Sequence, residues 1–153
     1  MQSVDLTGLN KLDNDLQDLF DEIPELRKQL HEEIGDIIKS EVNAQIARSG
    51  LNDSSGHIKE WQETHIGSGG GYAAVRASDK MVGDNSPGAI TNYLENGHKI
   101  REPSGNNKKY RPRIKKPYVD GFHFYQVARN TVESKAIETA EKFAEKFAKK
   151  MEG

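Results

Sequence analysis

The sequence predicts an α+β fold in a single domain over residues 1–153, and three observations lead to that prediction. Apolar residues recur at helical spacing through the first fifty positions, and a second such pattern fills about the last thirty. Between them lie short segments with Trp, Thr, Ile and Val, separated by connections that contain Gly and Pro. This order predicts long N-terminal helices, a small antiparallel β-sheet with a central hairpin, a short helix and a long C-terminal helix.

The helical N-terminal region covers residues 1–49. From Leu9 to Leu30, a leucine or isoleucine recurs at intervals that alternate between three and four residues. This spacing places one apolar stripe on one face of a helix. Pro24 lacks a backbone N–H and predicts a break or a kink, with a second helix beginning at about that point. The stripe fits either a helical hairpin or helix–sheet packing within the subunit, or a coiled coil between subunits. The interruption at Pro24 favours packing within the subunit.

The β-rich region covers residues 50–121 and begins with a predicted hairpin. Its two strands are expected within residues 57–66 and 72–77, on either side of the GSGGG stretch at 67–71. That stretch lacks the Gly-Lys-Ser/Thr ending of a phosphate-binding loop and has no helical pattern after it, so we interpret it as a turn. His57 and His65 are expected to lie on the first strand and to share one face of it.

A short helix and a brief strand are expected next. Ser86 is a predicted N-cap because Pro87 suits the first helical position, and Asn96-Gly97 ends the helix. Residues 98–101 are a strand candidate. The long loop that follows, residues 102–117, contains the most basic part of the chain.

This basic segment, residues 108–116, forms a candidate docking loop. It carries six positive charges and no negative one: Lys108, Lys109, Arg111, Arg113, Lys115 and Lys116. Tyr110 lies among them, so phosphate contact combined with base stacking is one interpretation. The other is contact with an acidic face of a neighbouring protein. The formal net charge of the whole chain is -2, and since self-sufficient nucleic-acid-binding domains are usually basic, the protein surface is favoured.

The C-terminal region, residues 122–153, is predicted to be one long helix with Asp120 as its N-cap. Apolar residues at helical spacing face one side, and Glu and Lys occupy the other. Two apolar surfaces are available for contacts between subunits, one on each long helical region. The candidate interface residues are Phe143, Phe147, Leu12 and Leu16.

Composition narrows the class of protein. Hydrophobic residues make up 34% of the chain and charged residues 30%, which is a small apolar content for a self-sufficient domain and suggests that neighbouring subunits complete its burial. No cysteine is present, so disulfides and thiolate chemistry are excluded. No apolar run is long enough for a membrane span, and no signal peptide is apparent. The five histidines show no metal-ligand spacing, and no nucleophile motif occurs. We expect no catalytic activity, no cofactor and no metal.

Several segments, in this order, resemble the neck or tail-completion family of long-tailed bacteriophages, the small head–tail joining proteins. After the opening GLNKLDNDL they are Ser49-Gly-Leu51, GYAAVRA at 71–77, YLENGHKI at 93–100 and PYVDGFHFY at 117–125. Relatives often have a Tyr-Val-Glu-Phe-Gly-Thr type of segment. This chain keeps that pattern at Tyr93, Glu95 and Gly97 and departs from it at Asn96 and His98.

The resemblance implies a non-catalytic virion protein that is assembled in the bacterial host cytoplasm and resides in the neck. It implies a homo-oligomeric ring, sixfold or twelvefold, between a head-connector protein and a tail-terminator or tail-tube protein, with DNA passing through its channel. The alternative function is a nucleic-acid-binding module that uses residues 108–116. A domesticated tail-like particle is as compatible with the sequence as a working phage.

Overall fold

The computed structural model describes residues 7–100 and 116–152, with only part of the side chains before residue 21. It is a mixed helix and sheet fold, which confirms the predicted class. Apart from one 3-10 turn at Ser68–Gly70, the elements are α1 (Thr7–Arg48), α2 (His57–Glu60), β1 (Gln62–Ile66), β2 (Ala73–Ala77), α3 (Pro87–Asn96), β3 (His98–Lys99), β4 (Tyr118–Val119) and α4 (Phe124–Glu152).

Helix α1 is continuous through Pro24, so the predicted division into two helices is wrong. Proline removes one N–H donor, but the flanking turns carry helix-stabilising pairs. Gln17 donates to Asp21 on one side, and Gln29 donates to Glu25 on the other. Packing against the rest of the subunit stabilises the helix further. Its predicted end at Ser49-Gly50 is confirmed, since the helix stops at Arg48.

Helices α1 and α4 lie side by side and run antiparallel. Lys135 on α4 lies 3.8 Å from Glu41 on α1, and Lys150, further along α4, pairs with Glu22, which is earlier in α1. The apolar core joins the late part of α1 to the early part of α4 through Val42, Ile46, Phe124 and Ala128. The late part of α1 therefore packs within the subunit, as the favoured interpretation expects, whereas the stripe residue Ile23 is 37% exposed.

The predicted hairpin is confirmed for β1 and β2, which pair antiparallel from Gln62↔Ala77 to Ile66↔Ala73. The first strand is shorter than expected because residues 57–60 form the helical turn α2. The Asp53 carboxylate accepts hydrogen bonds from the backbone N–H groups of Ile58 and Lys59, which stabilises that turn. His57 and His65 therefore do not share a strand face, and that expectation is wrong.

The brief strand expected at 98–101 is present as β3, His98–Lys99, but it pairs with β4, which the sequence did not predict. Within residues 7–100 and 116–152, the β-structure thus consists of two separate two-stranded sheets. Within the described residues, no helix combines the length and the apolar character that a membrane span requires.

Candidate functional site

The junction between α3 and α4 is centred on a buried carboxylate. Glu95, in the last turn of α3, is 8% exposed. Its Oε2 accepts a hydrogen bond of 2.9 Å from the Tyr125 backbone N–H, and its Oε1 accepts one of 3.1 Å from Gln126. A carboxylate at this position satisfies two N–H groups that a helix start leaves without partners. Asp120, the predicted N-cap, does not serve this function, because α4 begins four residues later.

Backbone hydrogen bonds reinforce the same junction. Phe122 N–H donates to the Leu94 carbonyl at 2.7 Å, and His123 N–H donates to the Glu95 carbonyl at 3.1 Å. Two glycines permit this close approach. Gly97 has a φ of 77°, a backbone conformation that glycine adopts more readily than other residues do. At Gly121, a Cβ atom would collide with the Glu95 carbonyl oxygen. The Glu and Gly of the Tyr93–Gly97 pattern therefore hold α3, β4 and α4 together.

The chain on either side of residues 101–115 is held at this junction. Ile100 N–H donates to the Pro117 carbonyl at 2.9 Å, and the strand pairs His98↔Val119 and Lys99↔Tyr118 continue the ladder. The ends of the intervening chain are thus fixed beside α3. Of the six candidate docking residues, Lys116 is exposed just before β4. The other five, Lys108, Lys109, Arg111, Arg113 and Lys115, lie outside the described residues.

Aromatic side chains are exposed around the base of the basic segment. Tyr118 is 47% exposed, and its hydroxyl donates to the Asn96 carbonyl at 2.7 Å. The ring of Tyr93 lies 5.4 Å from that of His98, centroid to centroid. Tyr93 and His98 also line a groove of about 580 Å³ together with Asp84, Asn85, Lys99 and Ile100. This surface offers cationic and aromatic groups side by side.

The four candidate interface residues are not brought together. Phe143 and Phe147 are half-buried on α4. Leu12 and Leu16 belong to α1, but their side chains lie outside the described part. Because Lys150 pairs with Glu22, Leu12 and Leu16 are about 9–15 Å further along α1, beyond the level at which α4 ends.

A buried polar contact links α4 to the hairpin. The Tyr125 hydroxyl donates to Gln62 Oε1, and Gln62 Nε2 donates to the Ile58 carbonyl at 2.8 Å. Gln62 is fully buried, and both the NH2 donor and the oxygen acceptor of its side-chain amide have hydrogen-bond partners, as buried polar groups require. Burial, and next the negative charge of Glu95, raise the pKa of the Tyr125 hydroxyl to about 12. Sequence reasoning missed Gln62 and Tyr125, since residues 63 positions apart show no pattern.

The described residues offer little metal or acid–base chemistry. Across residues 7–100 and 116–152, no group of three or more His, Asp or Glu side chains could hold a metal ion. His65 approaches Arg76, with 3.4 Å between Nδ1 and Nη2. On the same hairpin, hydrogen bonds to Glu63 from Lys80 and then Ser78 hold the pKa of that carboxyl below its usual value.

Comparison of the chain with protein-family models, with curated proteins and with solved structures finds no match.

Proposed function

We propose that this protein is a structural component of the neck of a long-tailed bacteriophage or a tail-like particle. It assembles into a homo-oligomeric ring that joins the head connector to a tail-terminator or tail-tube protein, and DNA passes through the ring. The protein is assembled into particles in the host cytoplasm and is then part of the virion. The function is binding and joining, not catalysis.

The observation that carries this proposal is the position of the family-like segment. Glu95 and Gly97, two residues of the pattern shared with neck proteins, lie where α3, β4 and α4 meet. These two residues stabilise the fold at the point where Ile100 and Pro117 are hydrogen-bonded, beside the start of α4, a helix about 43 Å long. A rod-like helix pair with a charged docking segment fixed at one end suits a subunit that contacts successive layers.

The distribution of apolar residues supports assembly. In the described residues, the buried hydrophobic side chains are few: Val42, Ile46, Phe124, Ala128 and Val132. Larger apolar side chains are exposed in groups, and one group comprises Tyr93, Tyr118, Val119 and Phe122 around the junction. Grouped exposed aromatics mark protein interaction sites more often than scattered ones do. A ring offers each subunit two different neighbours that can cover such surfaces.

Deleting the gene from its phage tests the proposal. We expect filled heads and complete tails that remain separate, or malformed tails, in electron micrographs of the lysate. Supplying the intact gene on a plasmid should restore joined, infectious particles. Supplying it with Glu95→Ala should restore fewer, because the junction is weakened. Normal infectious particles from the deletion alone would contradict the proposal.

A nucleic-acid-binding module is the second candidate. Lys116, the last residue of the basic segment, is exposed, and so are Lys99 on β3 and the ring of Tyr118. Cations beside an aromatic face suit single-stranded nucleic acid. DNA binding by the isolated protein that persists at high salt and is lost when the six basic residues become Gln would favour this function. Weak binding that falls steeply with salt agrees with the neck proposal.

A further inference from the structure

A cleft of about 350 Å³ lies between α1 and α4. Its lining includes Glu33 from α1 and, from α4, Lys142, Phe143, Glu145, Lys146 and Lys149. Phe143 is half-buried there, and the charged lining residues are exposed. The cleft therefore combines an apolar residue with a carboxylate on the α1 side and mainly lysines on the α4 side.

The charges on both sides of the cleft belong to longer rows along the helices. On α1, five exposed carboxylates at helical spacing share one side of the helix, and we call them the acidic stripe: Asp18, Glu22, Glu25, Glu33 and Asp36. On α4, three exposed lysines spaced by four and three residues form the lysine stripe: Lys142, Lys146 and Lys149. Since Glu33 and all three lysines line the cleft, the two stripes face it from opposite sides.

Most of these charges are not paired within the subunit. Glu22 pairs with Lys150, and Lys142 pairs with Glu138 on its own helix. Across residues 7–100 and 116–152, the other four carboxylates of the acidic stripe and the last two lysines of the lysine stripe form no ion pair. Two exposed rows of opposite charge therefore remain open to a partner with the complementary arrangement.

A second copy of this chain has that arrangement. Helices α1 and α4 run antiparallel, with Lys150 opposite Glu22 and Lys135 opposite Glu41. A rotation of 180° about an axis parallel to the helices places α1 of one copy opposite α4 of the other. Such a rotation leaves each residue at its own level along the axis. Glu33 lies at the level of the lysine stripe in its own chain, so it faces the lysine stripe of the second copy.

From this geometry we infer that two copies of the chain bind each other face to face across the α1–α4 cleft. The acidic stripe of each copy contacts the lysine stripe of the other, and the contact is isologous because both copies contribute the same surface. Complementary charge specifies the partner and the register of the contact. Phe143 adds apolar surface from the cleft of each copy. The inference goes beyond the proposed function and does not rest on it.

The size of this face predicts a weak and reversible dimer. Between the Glu22–Lys150 pair and the Glu41–Lys135 pair, the two helices lie side by side for about 25 Å, and together they are about 20 Å wide. The face offers about 500 Å² per copy, so the dimer buries about 1,000 Å² in total, which is the lower limit for specific interfaces. Because its charges are exposed, salt weakens the contact.

Charge reversal on the full-length chain tests the inference. One variant carries Glu25→Lys and Glu33→Lys, and the other carries Lys146→Glu and Lys149→Glu. Sedimentation velocity at up to about millimolar concentration should show wild-type dimers at about 50 mM NaCl. The dissociation constant should rise about tenfold or more by about 500 mM NaCl. Each variant alone should be monomeric, and an equimolar mixture of the two should dimerise, because both of its contacts again join opposite charges.

A matched variant controls for net charge. Glu133→Lys with Glu141→Lys reverses two exposed carboxylates of α4 that do not line the cleft, and it should dimerise like the wild type. Circular dichroism should show that every variant is folded. A wild type that stays monomeric at low salt, reversal variants that dimerise like the wild type, or a mixture that stays monomeric would overturn the inference.

Disulfide cross-linking gives a second readout that leaves most of the charges in place. The chain has no cysteine, so single cysteines can be introduced without competing thiols. Gln29→Cys lies on α1 between Glu25 and Glu33, and on oxidation it should form a disulfide-linked heterodimer with Lys146→Cys of a second copy. Ser134→Cys, exposed on α4 outside the cleft lining, is the control and should not cross-link to Gln29→Cys. Equal cross-linking of both, or of neither, would contradict the face-to-face arrangement.

Discussion

Glu95 Oε2 accepts a hydrogen bond of 2.9 Å from the backbone N–H of Tyr125, thirty residues later in the chain. Helix caps are usually supplied by the residue just before the helix. Here the cap comes from the end of another helix, so contact with α3 stabilises the start of α4. Ile100 and Pro117, which lie on either side of residues 101–115, are hydrogen-bonded to each other beside this contact.

Replacing Glu95 should destabilise the whole subunit. Glu95→Ala leaves the N–H groups of Tyr125 and Gln126 without an acceptor in a buried site, and we expect a loss of about 2–4 kcal/mol in the free energy of unfolding. Glu95→Gln keeps one acceptor and should cost less. Chemical denaturation measures both. Equal stability of Glu95→Ala and wild type would show that the cap contributes nothing.

Two glycine substitutions should have opposite effects. Gly121→Ala places a methyl group against the Glu95 carbonyl, and we expect a loss of about 2 kcal/mol or more. Gly88→Ala in α3 meets nothing within 4 Å and should stabilise the protein by about 0.4–1 kcal/mol. Thermal melts compare the two. Similar melting temperatures would contradict the tight α3–α4 approach.

Alkaline pH should destabilise the protein through Tyr125. The folded-state pKa of its hydroxyl is raised to about 12, above the usual value of 10. The contribution of the neutral hydroxyl is therefore fully present below pH 10 and is lost as the pH rises toward 12. Tyr125→Phe should remove this pH dependence and cost about 1–3 kcal/mol at neutral pH, because Gln62 Oε1 loses its donor. Urea unfolding at pH 8 and 11 tests both effects.

The phenylalanines of α4 should contribute moderately to stability. Replacing a fully buried phenylalanine with alanine lowers the free energy of unfolding by about 3–5 kcal/mol. Phe143 and Phe147 are half-buried, so we expect about 1–3 kcal/mol for each in the free subunit. Ile137→Ala, at 53% exposure, is the control and should cost less than 1 kcal/mol. No change for either phenylalanine would identify them as contact residues that only a partner buries.

Local patterns in the sequence predicted the elements that depend on local physics. The apolar spacing from Leu9 to Leu30 predicted helix, and the turn residues 67–71 predicted the hairpin. Ser86-Pro87 predicted the start of α3, where Ser86 Oγ accepts from Ala89 N–H at 3.2 Å. The prediction of a break at Pro24 was wrong because the proline removes a single N–H donor, whereas the turns on both sides of it carry side-chain hydrogen bonds that stabilise the helix.

Local patterns of this kind could not predict the long-range contacts. The cap by Glu95, the Gln62–Tyr125 pair and the pairing of β3 with β4 join residues that are 19 or more positions apart. The resemblance pointed to two segments of the junction, the Tyr-x-Glu-x-Gly spacing and residues 117–125, without giving the contacts between them. Of the candidate docking residues, the structure describes Lys116 alone, so the docking role of the basic segment stays a prediction.

Gold labelling of intact particles tests the proposed neck location most directly. A hexahistidine tag added after Gly153 and labelled with nickel–gold should be located by electron microscopy in purified particles. We predict gold at the junction between head and tail in joined particles, and no gold on separated heads and tails from the deletion strain, which lacks the protein. Purified, infectious particles without label, or with label confined to the tail tip or the capsid surface, would contradict the proposal.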